Sequence, residues 1–131
     1  MYSLKVHHNA RADLQALRDQ FPEAATQIAT LLQEIKTDQD LLDRLTDHDF
    51  GASRTADFHV NKWLQQWNRG RDLWRLKIWD LEDKELQYRI VYAYVPTYRT
   101  YYVLGVCDRS FDYDENSELT RRILAAYDDL P

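Results

Sequence analysis

Apolar and polar positions alternate with two different periods along this chain, and the period changes mark its elements. Residues 2–6 read Tyr2-Ser3-Leu4-Lys5-Val6, apolar at every second position, which predicts a strand with Tyr2, Leu4 and Val6 on one face. Asn9 is a suitable N-cap for a following helix, in which Leu14, Leu17 and Phe21 recur at helical spacing. Pro22 suits the first turn of a second helix, whose Ile28, Leu31, Leu32 and Ile35 form one stripe. Together these predict a helical hairpin.

Residues 40–45 have room for one or two more helical turns, and residues 47–57 read as a polar loop. Phe58 and Val60 alternate as in a strand, whereas Trp63, Leu64 and Trp67 fall at helical spacing, so residues 63–68 are predicted helical with Gly70 as a stop. From Leu73 the period becomes two. Residues 73–81 are predicted as a strand with Trp74, Leu76 and Ile78 on one face and Arg75 and Lys77 on the other. A polar turn at residues 82–85, a strand over residues 88–95, a hairpin connection Pro96-Thr97-Tyr98-Arg99 and a strand over residues 101–107 complete an antiparallel meander. Asn116 or Ser117 caps a last helix whose Leu119, Ile123, Leu124 and Tyr127 share a stripe. The fold class expected is α+β: an N-terminal strand and helical hairpin on one face of an antiparallel sheet, with a C-terminal helix, in one domain over residues 1–131.

Composition narrows the class. A chain of 131 residues can bury a core of ordinary size, and 4 Trp, 9 Tyr and 4 Phe supply too much apolar area for a disordered chain. No apolar run approaches the roughly 18 residues of a membrane span, and residues 1–9 lack the apolar stretch of a signal peptide. Cys107 is the only cysteine, which excludes an intramolecular disulfide and a cysteine-based zinc site; a reducing, cytoplasmic location is the expectation. Net charge is -5, but residues 69–109 hold 8 basic and 6 acidic side chains and form the locally positive part.

Within that part, strand parity groups the cations. Arg75 and Lys77 share a face; Arg89 shares one with Val91, Ala93 and Val95; Arg109 shares parity with Val103, Gly105 and Cys107. If these parities coincide, Ala93, Gly105 and Cys107 make a shallow floor rimmed by Arg75, Lys77, Arg89 and Arg109. The plain alternative is a solvated sheet face, but like charges on neighbouring strands repel, and a cluster of Arg and Lys suits phosphate. Other signals are weaker. His7 and His8 end the first strand, away from the cations. Asp108, Asp112 and Asp114 lack calcium-loop spacing and read as a solvated turn. Trp63, Trp67, Trp74 and Trp79 could face bases, although Trp74 belongs by parity to the core. Cys107 is expected to be a buried small residue.

The runs Trp74-Arg75-Leu76-Lys77-Ile78, Gln87-Tyr88-Arg89-Ile90-Val91-Tyr92 and Val103-Leu104-Gly105-Val106-Cys107-Asp108-Arg109, followed by Tyr113 and a helix containing Arg121-Arg122-Ile123-Leu124, resemble the C-terminal half of RelE/HigB-type toxins of toxin–antitoxin systems. The resemblance implies a RelE-like fold and a metal-independent, cofactor-free endoribonuclease that cuts mRNA on the ribosome by attack of a 2′-OH on the adjacent phosphate. By position, Arg75 and Lys77 match the basic pair from which the general base comes, Arg89 and Arg109 the arginines that hold the scissile phosphate and assist the leaving group, and Tyr113 the tyrosine that orients the nucleotide. Implied partners are a cognate antitoxin protein, mRNA and the ribosome, with no membrane and with a toxin–antitoxin oligomer. Two alternatives share the fold: a ParE-like inhibitor that binds DNA gyrase, and a non-catalytic protein-binding module. Arg75 departs from a well-known member, which has lysine there, and arginine is a poor proton acceptor; Lys77 could serve as base if the neighbouring Arg75 and Arg89 lower its pKa.

Overall fold

The computed structural model describes residues 1–109 and 116–131. In chain order these form β1 (Ser3–Val6), α1 (His8–Gln20), α2 (Pro22–Lys36), α3 (Gln39–Arg44), β2 (Phe58–Lys62), α4 (Leu64–Trp67), β3 (Leu73–Ile78), α5 (Trp79–Asp83), β4 (Tyr88–Val95), β5 (Thr100–Asp108) and α6 (Glu118–Asp128). A 3₁₀ turn, Pro96–Tyr98, joins β4 to β5. The class is α+β.

The strands form one five-stranded sheet in the order β1-β5-β4-β3-β2. The β3-β4-β5 meander is present, and β2 extends it as a further antiparallel strand, with Phe58 opposite Ile78. The sheet is not wholly antiparallel: β1 pairs with β5 in parallel, Ser3 opposite Thr100. Local alternation predicted β1 itself but carried no information about a neighbour so distant in the chain.

Helices cover both faces, where the sequence pattern led us to expect one. On the first face, Trp74, Leu76, Ile90, Tyr92, Tyr101 and Val103 pack against the stripe of α1 and α2, including Leu17, Ile28, Leu31 and Ile35. On the second face, Leu73, Val91, Ala93, Leu104 and Cys107 pack against Ile123 and Ala126 of α6. The run Ile90-Val91-Tyr92-Ala93 is buried at both parities, as a strand covered on both sides must be.

Three boundaries differ from the pattern-based expectation. His7, not Asn9, caps α1: its Nδ1 accepts from the Asn9 N–H at 3.0 Å. The strand expected over residues 73–81 stops at Ile78; Trp79 opens α5, whose first turn carries Asp80 and Glu82 where a helix N-terminus favours acids. In β5, Gly105 pairs with Val91 but Val103 pairs with Tyr92, so Leu104 is an extra, bulged residue. The bulge moves Val103 to the first face and away from Gly105 and Cys107, contrary to the parity assigned above. Ser117 caps α6, its Oγ accepting from the Thr120 N–H at 3.0 Å.

Side chains and loops close parts of the sheet's edges. The loop before β2 runs back along it: the Asp49 N–H donates to Val60 C=O and the Val60 N–H to Phe50 C=O. Gly51 makes this possible, with φ +79 and so little room that a Cβ would lie 1.9 Å from the Phe58 carbonyl oxygen. At the other side, β1 ends before β5 does. Asp13 of α1 takes over, accepting from the Val106 N–H at 3.0 Å while Arg122 of α6 bonds the same carboxylate oxygen at 2.6 Å. Among the described residues, no helix is long and apolar enough to cross a membrane.

Candidate functional site

α6 covers only part of the second face. The register shows what remains. Arg75 stands between Asn61 on β2 and Val91 on β4, and Val91 is opposite Gly105 on β5. One step toward the sheet's end, Lys77 lies opposite His59 on β2. The β3–β4 pairing ends at Leu76–Ile90, so its continuation sets Lys77 beside Arg89, which itself pairs with Cys107. Past the end of β5, the Arg109 N–H donates to Gln87 C=O at 2.7 Å, which keeps Arg109 at this end of the sheet. The expected small-residue floor is in part the seat of α6: a Cβ on Gly105 would lie 3.3 Å from Ile123 Cδ1, and Ala93 and Cys107 are buried in the same cluster. Small residues here let a helix approach; the cations stand beside that helix. Tyr113 lies outside the described residues, as do Asp112 and Asp114.

The Lys77 ammonium registers all three arginines. Its pKa is lowered from 10.5, first by burial and then by repulsion from Arg89, with further contributions from Arg109 and Arg75; Glu82 opposes the shift. Glu82 was not foreseen. It belongs to α5 and forms an ion pair with Arg89 in which the two side chains are only 12% and 11% exposed. The same Arg89 Nη1 also donates to Tyr88 C=O at 3.1 Å. One of the candidate phosphate-binding arginines therefore has an internal anion already bound to it.

An aromatic platform borders the cluster. Lys77 Nζ lies 4.9 Å from the centroid of the Trp79 ring, Arg54 Cζ 4.4 Å from it, and the His59 ring stacks on it at 5.4 Å and 10°. The Trp79 indole N–H is fixed to Gly51 C=O at 2.9 Å. Of the four tryptophans, Trp79 is the one beside the cations; Trp63 and Trp74 are core residues, and Trp67 packs edge-on against Trp74.

Sequence reasoning found no histidine at the cationic site, yet His59 is there. Burial lowers its pKa from 6.5, and Lys77 lowers it further against the opposing Asp49 contact. His59 Nε2 is 3.4 Å from Asp49 Oδ1, and Nδ1 is shielded from solvent without a hydrogen-bond partner among the described residues. Burial and Lys77 thus disfavour the charged imidazole, and its Nδ1 is turned away from any substrate in solution. We assign it to holding Trp79 rather than to proton transfer. The alternation Phe58-His59-Val60 was the available signal: it places His59 opposite in parity to the core residues. His7 and His8, in contrast, lie against each other at the start of α1, their rings tilted with centroids 4.1 Å apart. Among the described residues, no group of three His, Cys, Asp or Glu side chains is arranged to hold a metal ion.

No protein-family model matches this chain, and no curated protein or solved structure matches it.

Proposed function

We propose that this chain is an RNA-cleaving toxin of the RelE/HigB kind, a RelE-like fold with the end of its second sheet face beyond α6 as the active site. The observation that carries the reading is the environment of Lys77, a partly buried lysine whose ammonium is destabilised by Arg75, Arg89 and Arg109. A group held this way gives up its proton more readily than an ordinary lysine, and the surrounding guanidiniums attract a phosphate. In this reading neutral Lys77 takes the proton of a ribose 2′-OH. The 2′ oxygen attacks phosphorus, the bond to the 5′ oxygen breaks, and that oxygen takes a proton from water while Lys77 returns its proton to solvent, giving a 2′,3′-cyclic phosphate and a 5′-OH end. Arg75, Arg89 and Arg109 neutralise the charge that develops on the phosphorane, so the step needs no metal. Tyr113 orients the nucleotide, and the Trp79 ring supports Lys77 from beside. The partners that go with this activity are the ribosome with its mRNA, and an antitoxin that covers the cationic face in the cytoplasm.

The test is induced expression in a bacterial host, with 5′-OH ends of mRNA mapped in the arrested cells. Growth arrest with new cleavage ends is the expected result. Lys77→Arg keeps the charge and removes the proton acceptor, so it should retain RNA binding and lose cleavage. Absence of arrest by the wild type would refute the proposal.

The Glu82–Arg89 pair favours a second reading, a non-catalytic binding module on the same fold, because the anion lowers the net charge available to a phosphate. Intact mRNA with no effect on growth would favour that module. Accumulated DNA breaks with intact mRNA would instead indicate a ParE-like gyrase inhibitor.

A further inference from the structure

We propose that the outer edge of β1 is a docking site for an extended, acidic segment of a partner protein, which adds to the sheet as a sixth strand. The proposal is independent of the chemistry on the second face. Ser3 and His7 donate their N–H groups inward to β5, to Arg99 C=O and Val103 C=O. Alternation along the strand then turns the backbone groups of Tyr2, Leu4 and Val6 outward.

Tyr2 shows how that edge pairs. The carboxamide of Gln39 binds it as a peptide group would: the Tyr2 N–H donates to Gln39 Oε1 at 2.7 Å, and Gln39 Nε2 donates to Tyr2 C=O at 3.0 Å. Beyond this clasp, Leu4 and Val6 make no backbone hydrogen bond to another element on that side among the described residues. An unpaired edge is a template for a further strand.

The space beside the edge is ready for side chains. A groove of about 410 Å³ runs along Leu4, Lys5 and Val6 and is walled by α1 and α2. Its apolar lining includes Leu14 and Leu32, and its charged lining is Lys5, Arg11 and Lys36, with no acid. In a chain with 22 acidic and 17 basic residues, three cations without a carboxylate set the charge of the occupant. A strand whose groove-facing residues, every second one, are in turn apolar and acidic would bury the first kind against Leu14 and Leu32 and set the second against Arg11 and Lys36.

The experiment uses the full chain and a short fluorescein-labelled peptide of the repeat Val-Thr-Glu-Thr, in which every second residue, valine and glutamate in turn, faces the groove. Anisotropy should report saturable binding, and hydrogen exchange of the Leu4 and Val6 amides should slow at saturation. The double variant Arg11→Glu, Lys36→Glu changes exposed side chains only and should weaken binding at least about tenfold, as reversal of two exposed ion pairs implies. A peptide N-methylated at alternate residues should bind far more weakly, whatever the fate of the protein variant. Unchanged exchange at Leu4 and Val6, or no binding at about millimolar peptide, would overturn the proposal. Equal competition by a single-stranded RNA would overturn it as well, since it would make the groove a general polyanion surface.

Discussion

Glu82→Gln preserves the shape of the side chain and removes its charge, leaving the Arg89 guanidinium to face the interior without its anion. Both side chains of this pair are about nine-tenths buried. Removing one partner of a fully buried pair costs about 3–5 kcal/mol, because the remaining charge is neither solvated nor paired. Arg89 keeps its bond to Tyr88 C=O, so about 2–3 kcal/mol is the appropriate range here. With a urea m-value of about 1.5 kcal/mol/M, the unfolding midpoint should fall by roughly 1.3–2 M. The assay is equilibrium urea unfolding followed by tryptophan fluorescence. Two comparisons isolate the cause. Adding Arg89→Met to Glu82→Gln should recover most of the loss, because the uncompensated charge is then gone. Lys84→Ala breaks contacts to Glu23 and Asp80 at side chains that are 43–61% exposed, and should leave the midpoint unchanged within error. A Glu82→Gln protein that unfolds at the wild-type midpoint would refute this account, and with it the idea that Glu82 competes with a phosphate for Arg89.

Other expectations follow from the same structure. His7 and His59 both have pKa values below 6.5 in the folded chain, chiefly through burial. The unfolded chain therefore binds more protons in the window ending near 6.5, so stability should rise with pH through that window and be lowest below both folded values; unfolding midpoints from about pH 5 to 8 test this, and His59→Gln should flatten the slope. Cleavage by the Lys77 mechanism should rise with pH to a limb below the ordinary lysine value of 10.5, because burial and the neighbouring arginines favour the neutral amine; a pH–rate profile checks it. Gly51→Ala should abolish folding or cost more than about 3 kcal/mol, since it combines a positive φ with a Cβ in contact with backbone, whereas Gly105→Ala asks only that Ile123 yield slightly and should cost about 1 kcal/mol in the same denaturation assay. Ser117→Ala should lower stability by about 1 kcal/mol through loss of the α6 cap.

The elements that local pattern could announce are those whose signal lies within one turn or one strand. The α1–α2 hairpin follows from Pro22 and the Ile28-to-Ile35 stripe, and the shared face of Arg75 and Lys77 follows from period two. What stayed hidden depends on partners distant in sequence. Nothing near Ser3 names Thr100 as its neighbour, and nothing near Phe58 names Ile78, so the place of β1 and β2 in the sheet was not readable. The site suffered in the same way. His59 became visible as a site residue only once β2 was set against β3. Glu82 read as part of a polar turn, and became the partner of Arg89 only because β3 stops at Ile78 and α5 folds back. Leu104 looks like any strand residue, although its bulge decides which face Val103 joins.

The parallel pairing of β1 with β5 also governs the order in which the chain can be assembled. Ser3 meets Thr100, so β1 waits through the synthesis of β2, β3 and β4 for β5 before it has a neighbour. Closure of so long a loop comes late, and topologies rich in such distant pairings fold slowly. Until then the apolar stripes of α1 and α2 and both edges of β1 stay uncovered, and the nascent N-terminal third is the segment most exposed to chaperones and to self-association. A protein permuted to begin at β2 and end with β1-α1-α2 would separate this delay in synthesis from the thermodynamics of the finished sheet.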